Sequence, residues 1–392
     1  MPPPDRIAEP ILAPGSPFNP LSLDPTDPTR LLPINVTAME TQTGRFMFGV
    51  GVTSDAGLTG TIKIEEQNFN LFNFPRSWDD IKNFTAWRGN GQRLVIEAYP
   101  GTSVQRYAVT FQEPYLLDSR VSMGISGYYY SRAYTEWFET RVGGRAALGY
   151  QFSPDLSGNI AYRGARVGVS DIIDSSIPDL VEAEGDNALH GFQVALAHDT
   201  RDNPFLATEG HLIQASVEQV IGTWQYPRAE IDLRQHFLMH ERPDGSGRHV
   251  LSLSGSVGYT GDNTPIYDRY FAGGFSSIRG FAFRDASPMK YGSVINDMVV
   301  VGGDFQLLAS AEYMFPITAD DMLRGVVFCD TGTVEPTIKD WSNKYRVSPG
   351  FGLRITVPAM GPAPLAFDFA FPVCWNPGDR FEMFSFFVGF GR

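Results

Sequence analysis

At 392 residues with a formal charge of −13, the chain is long enough for two average soluble domains or one large barrel. It is also too acidic to suit nucleic acid, whose phosphates require a basic surface. Glycine (40) and phenylalanine (29) are abundant and only 19% of residues are charged, yet no run reaches the ~18 consecutive apolar residues of a membrane helix. A slightly negative mean hydropathy argues against a helical membrane protein but not against a membrane barrel, in which only alternate residues of a strand face lipid.

Residues 1–44 are rich in proline and acid, a composition that predicts an extended, disordered linker or tether with no core of its own. The opening Met1-Pro2-Pro3-Pro4-Asp5 has no basic stretch leading into an apolar one, so no signal peptide is visible. From Arg45 the pattern switches to period two. Phe46, Phe48, Val50 and Val52 alternate with Met47, Gly49 and Gly51. Further on, Arg228, Glu230, Asp232, Arg234 and His236 alternate with Ala229, Ile231, Leu233 and Phe237. Such runs recur near 45–53, 58–66, 92–99, 104–112, 119–130, 137–150, 155–168, 188–198, 210–220, 227–240, 248–260, 301–315, 322–330, 345–355, 363–370 and 382–391. Each has roughly the 9–11 residues a tilted membrane strand needs. An even number of them places both ends of a barrel on one side. The reading is an all-β chain in which residues 45–392 form a 16-stranded antiparallel transmembrane β-barrel. If the first strand rises from the inner side, the long connectors 169–187, 261–300 and 331–344 all fall outside. The connector at 67–91 is the exception, long but on the inner side.

Chemistry-bearing constellations are few. Cys329 and Cys374 lie in different elements and make neither a disulfide framework nor a zinc set. No Gly-x-Ser-x-Gly, phosphate loop or paired-cysteine spacing appears. His236 and His240 share a strand face without a third ligand, and His198 and His211 flank a turn, where they are expected at the surface. The expectation is a protein that is not an enzyme and uses no cofactor or metal.

Four motifs carry a resemblance. Ile278-Arg279-Gly280-Phe281, led by Tyr270-Phe271-Ala272-Gly273-Gly274, sits within the longest connector. Asp199-Thr200-Arg201-Asp202-Asn203-Pro204-Phe205, closing at Gly210, forms an inner turn. Ala311-Glu312-Tyr313-Met314-Phe315-Pro316 precedes Phe328-Cys329-Asp330-Thr331-Gly332, which reads as a strand end. Together, and in this order, they resemble the BamA/TamA superfamily of bacterial outer-membrane barrels (the bacterial surface antigen family) over residues 45–392. The resemblance implies a long extracellular loop folded into the barrel, with Arg279, Gly280 and Phe281 at its tip and Arg279 bonded to Glu312 and Asp330. Strand parity agrees, placing Asp304, Gln306, Ser310 and Glu312 on one face, Asp330 inward and Cys329 toward lipid. The same ion pairs would also serve as simple filling of the barrel. The turn residues Asp199, Arg201, Asp202, Pro204 and Gly210 are what any tight turn favours.

Closing the barrel requires strand 45–53 to meet strand 382–391. Phe46, Phe48, Gly49 and Gly51 face Phe386, Gly389 and Phe390 across that seam, and glycines weaken strand packing. A seam that opens exposes an edge able to template a new strand; alternatively the glycines only ease closure. In the resembling family the seam is the lateral gate. The implied function is assembly and insertion of outer-membrane proteins. The implied partners are outer-membrane lipids, unfolded outer-membrane protein clients and periplasmic accessory proteins, and the implied location is the bacterial outer membrane. Two departures stand beside this. Gly391-Arg392 follow the terminal aromatic, and 44 proline-rich residues are too few for a periplasmic POTRA domain. A passive pore or structural barrel, or a polypeptide translocator of the two-partner secretion type, is the alternative.

Overall fold

Strict alternation gives each strand one apolar and one polar face, and a sheet so built hides neither face unless it closes on itself. The computed structural model describes residues 43–388 apart from 84, 205, 341–343 and 358–364. Residues 1–42, assigned above to a linker, therefore lie outside the described residues, as do Gly389, Phe390, Gly391 and Arg392 at the seam.

Sixteen antiparallel strands form a closed barrel. In chain order they are Gly44–Thr53, Gly57–Phe69, Gln92–Tyr99, Val104–Glu113, Val121–Ala133, Phe138–Gln151, Leu156–Ser170 and Gly185–Asp199, then Gly210–Gly222, Tyr226–His240, His249–Thr260, Phe305–Pro316, Leu323–Glu335, Arg346–Ile355, Leu365–Ala370 and Phe384–Val388. Every neighbour in sequence is a neighbour in the sheet. The outward face is apolar and uncovered: Phe48, Ile64, Val109, Val142, Phe192 and Ile231 are all exposed. Across the wall from them run ion pairs between adjacent strands, such as Lys63–Glu97 (3.2 Å) and Arg93–Glu65 (2.8 Å). Apolar outside and charged inside is the arrangement a bilayer selects.

Several strands extend past their expected ends. The one read as closing at Gly332 continues to Glu335, pairing Thr331 with Ala309 and Glu335 with Phe305. Gly332 is no terminator: a Cβ there would lie 2.4 Å from the Leu307 carbonyl oxygen, so close strand approach is what requires it. Phe328-Cys329-Asp330 is thus mid-strand. The long inner connector contains a five-residue helix, Trp78–Lys82, and the 171–184 connector a six-residue one, Pro178–Ala183.

The apolar core lies at the outer end of the barrel, between the wall and the segment 261–304. Val167, Leu189 and Val220 of the wall and Trp137 of the 134–137 turn pack with Ile266, Tyr267 and Val299 of that segment and with Ile177 and Leu180 of the 171–184 connector. A second cluster joins Tyr270, Ala272, Ile278 and Phe281 to Val334 of the wall. Phe281 is 1% exposed and Ile278 0%. Their burial removes water from roughly 1.5–3 kcal/mol of transfer free energy each.

Candidate functional site: the 261–304 loop and the strand seam

Two glycines prepare the loop tip. Gly273 and Gly274 sit at φ of 109° and 94°, conformations glycine adopts readily and other residues do not. A Cβ on Gly273 would lie 2.4 Å from the Ala282 carbonyl oxygen. The turn they make aims Arg279 at the wall. Its guanidinium grips Asp330 with two bonds, Nε to Oδ2 at 2.7 Å and Nη2 to Oδ1 at 2.9 Å, while its backbone N–H donates to the same carboxylate (3.1 Å). Nη1 reaches Glu312 Oε2 (2.9 Å) and Asp368 Oδ2 (3.0 Å). The flat face of the cation rests 3.3 Å from the centroid of Phe328. Burial works against the charge, yet the surrounding carboxylates, Asp330 foremost, hold the Arg279 pKa well above its ordinary value.

The expected partners Glu312 and Asp330 are therefore both within hydrogen-bond distance. Two further members escaped the sequence reading. Asp368 is fully buried, and Arg354 binds it through Nη1 (2.5 Å) while Nη2 reaches Glu312 (3.2 Å). Strand parity places Asp368 inward, between Ala366 and Ala370, but nothing local links it to a loop 89 residues away. Gly280 and Phe281 pair with Glu382 and Phe381 just ahead of the last strand.

A second anchor of opposite sign holds the base of the loop. Asp268, 5% exposed, accepts from Arg141 Nη1 (2.8 Å) and from the Tyr226 hydroxyl, with Arg163 at 3.7 Å. Arg228 donates to its carbonyl oxygen (3.1 Å), and Arg141 to that of Tyr267 (2.7 Å). Burial alone would raise its pKa; Arg141, Arg163 and Arg228 outweigh that and lower it. Thus an arginine fixes the tip to a carboxylate wall, and an aspartate fixes the base to an arginine wall.

Asp285 and Asp304, also in the loop, behave differently. Burial pushes each up to about 6 from 3.8. Arg380, Glu136, Asp379 and Arg284 face the first; Arg269, Asp262 and Asp179 face the second. A carboxyl whose pKa is higher folded than unfolded stabilises the fold fully below its unfolded value, and that contribution is lost as pH rises through the folded one. The window is about pH 4 to 6. Asp268 has the opposite sign and weakens the fold only at more acidic pH. Hydrogen-exchange protection of residues 280–304 should therefore increase when pH falls from 7 to 5; a flat profile would contradict the assignment.

Two register pairs cross the seam among the described residues. Val52 faces Val388, Thr53 faces Phe387, and Ser54 N–H donates to the Phe386 carbonyl (3.2 Å). Phe46, Phe48, Gly49 and Gly51 pair with the second strand, and the residues that follow Val388 across the seam lie outside the described ones. By contrast, Gly44–Thr53 is in register with Gly57–Glu66 along its whole length. The loop tip touches the last strand and the turn that follows the first: Phe275 stacks on Phe387 (centroids 6.1 Å, 13° between planes) and its N–H donates to Asp55 (3.2 Å). Neither Phe275 nor Asp55 carries a sequence signal that singles it out.

The inner turn folds around its own side chains. Arg201 binds both oxygens of Asp199 (2.9 Å each) and the Pro204 carbonyl (3.1 Å). Asp202 accepts from the Thr208 N–H and hydroxyl (2.8 and 2.7 Å), and Gly210 sits at φ 90°. His198 and His211, expected at the surface, are half-buried and bonded to each other at 2.8 Å.

Residues 86–391 match the model of the Omp85 superfamily domain. Among curated proteins, the outer membrane protein assembly factor BamA of Nitratidesulfovibrio vulgaris is 24% identical over 90% of this chain and 42% of its own length. That of Neisseria meningitidis serogroup B is 20% identical over 91% and 48%. The chain thus spans less than half the length of these relatives. Among solved structures, BamA from Haemophilus ducreyi lacking POTRA domains 1–3 superposes with a TM-score of 0.73 at 21% identity, covering 89% of this chain and 70% of that one. CdiB from Acinetobacter baumannii gives 0.55 at 15%, covering 89% and 60%. A closed barrel of this strand number, a motif-bearing loop and a family match over most of its length place this chain in the Omp85 superfamily of outer-membrane β-barrels.

Proposed function

We propose that this barrel assembles or inserts outer-membrane proteins, offering an edge of its first strand, opened at the seam, as a template for a client strand. The observation that carries the reading is the seam. Among the described residues two register pairs, Val52–Val388 and Thr53–Phe387, join the first and last strands, and the loop tip rests there on Phe387 and Asp55; a strand edge opened at this junction recruits another strand. The names of the curated relatives point the same way. Arg279, with Glu312, Asp330 and Asp368, keeps the loop seated beside this edge, and the Asp199–Gly210 turn serves as scaffold.

A cysteine pair tests the template. Val52 and Val388 are register partners, and facing residues of an antiparallel pair lie about 4.5–5.5 Å apart, within disulfide reach. Oxidised V52C/V388C in a background lacking Cys329 and Cys374 should lose client-folding activity in liposomes, and reduction should restore it. Full activity in the oxidised form would refute the template. Large steady conductance in planar bilayers with no effect on client folding would instead identify a passive pore.

A further inference from the structure

The connector between the Gly57–Phe69 and Gln92–Tyr99 strands leaves several apolar side chains uncovered among its described residues. Its backbone groups find partners close by: Asn70 N–H donates to the Trp87 carbonyl (2.7 Å), Trp87 N–H to that of Asn73 (2.8 Å), and Leu71 N–H to Gln92 Oε1 (2.8 Å). A reciprocal capping box between Ser77 and Asp80 starts the Trp78–Lys82 helix, none of whose residues is buried. Phe72 is 77% exposed, Trp78 69% and Phe74 63%. Leaving such side chains in water forgoes roughly 1.5–3 kcal/mol apiece.

The next inner connector, 114–120, repeats the anomaly. Tyr115 is 67% and Leu117 91% exposed, and Leu117 is held at φ 53°, a left-handed conformation a leucine seldom adopts. Both connectors follow directly on strands of the wall whose uncovered apolar band includes Ile62, Ile64, Ile96 and Val109. Backbone groups bonded within the element, with apolar side chains left exposed, are what a bilayer requires of any element inside it. Tryptophan and tyrosine among Arg76, Lys82 and Arg88 suit the boundary between headgroups and acyl chains. Arg88 Nη2 also donates to Thr43 Oγ1 (2.5 Å), at the base of the first strand.

We propose that these two inner connectors form a collar lying in the periplasmic leaflet, with Phe72, Phe74, Trp78, Trp87, Tyr115 and Leu117 at the headgroup–acyl boundary. The occupant of this face is lipid, argued from its continuity with the lipid-facing band. The collar fixes the depth of the first strand's lower end in the bilayer. The inference rests on the barrel being embedded in a membrane and is independent of the template reading.

The test attaches an environment-sensitive nitrobenzoxadiazole dye to F72C in a C329A/C374S background, with the full chain folded into vesicles of phosphatidylcholine and phosphatidylglycerol. D244C, on the exposed 241–248 connector, is the aqueous control. The dye at Phe72 should emit to the blue of the control and be quenched about twofold more by lipids carrying a nitroxide near the headgroup. Emission matching the control, with full quenching by iodide, would overturn the collar. A blue shift unaffected by nitroxide lipid would overturn it too, and would mean that protein covers the face. If F72C does not fold, L117C gives the same readout from the other connector.

Discussion

Arg279→Ala should release the loop tip and abolish client assembly while leaving a folded barrel in the membrane. The guanidinium bonds three carboxylates at once, two of them buried, Asp330 at 1% and Asp368 at 0% exposure. Its removal leaves Asp330, Asp368 and Glu312 with Arg354 as the cluster's remaining guanidinium. Breaking a buried pair from one side costs about 3–5 kcal/mol, because the abandoned charges stay desolvated. The barrel itself is held by continuous ladders that do not involve Arg279. Gel mobility before and after heating reports the folded barrel; protease cleavage between Gly273 and Phe281 reports the loop. Arg279→Lys should rescue poorly, since a single ammonium cannot reproduce the two-bond grip on Asp330. Wild-type client folding by Arg279→Ala would show that the cluster only fills the barrel.

Asp268→Asn should free the other end of the loop. Three arginines converge on this residue, and each keeps a second acidic partner: Arg141 with Glu139, Arg163 with Glu218 and Arg228 with Glu230. Neutralising the aspartate removes the group that ties these pairs to the loop, with an expected loss of up to about 3–5 kcal/mol. Hydrogen exchange should accelerate at residues 266–272 and change little at 278–282, where Arg279 still holds. The two anchors share no partner, so their effects should add to within about 0.5 kcal/mol. A double variant no looser than either single one would mean that the loop leaves as one body.

Much of this barrel can be read from the chain, and the reason is locality. Period-two alternation concerns each residue and its immediate neighbours, so sixteen strands and their inward and outward faces emerge without knowledge of pairing. Glu312 and Asp330 face inward on the same parity that turns Cys329 outward, as the structure has it. Arg279 stands out because an arginine amid glycines and aromatics has no reason to sit in a solvated loop. Strand ends were less legible. Gly332 imitates a terminator, although close packing against Leu307 is what demands it.

Alternation along the chain suffices for the strand count, the faces and the long outer loop, whereas the two acids beneath Arg279 come from the family resemblance, with strand parity in agreement. Only the folded chain shows that Asp368 and Arg354 complete that cluster, that Asp268 meets three arginines, and that Phe275 joins the loop to the last strand and, through Asp55, to the turn after the first. Each of these depends on contacts between distant parts of the chain, 89 residues for Arg279 and Asp368 and 220 for Phe275 and Asp55. Alternation says which way a side chain points. Which partner it meets depends on the register of several strands and on how the loop enters the barrel, and neither is encoded in any local pattern.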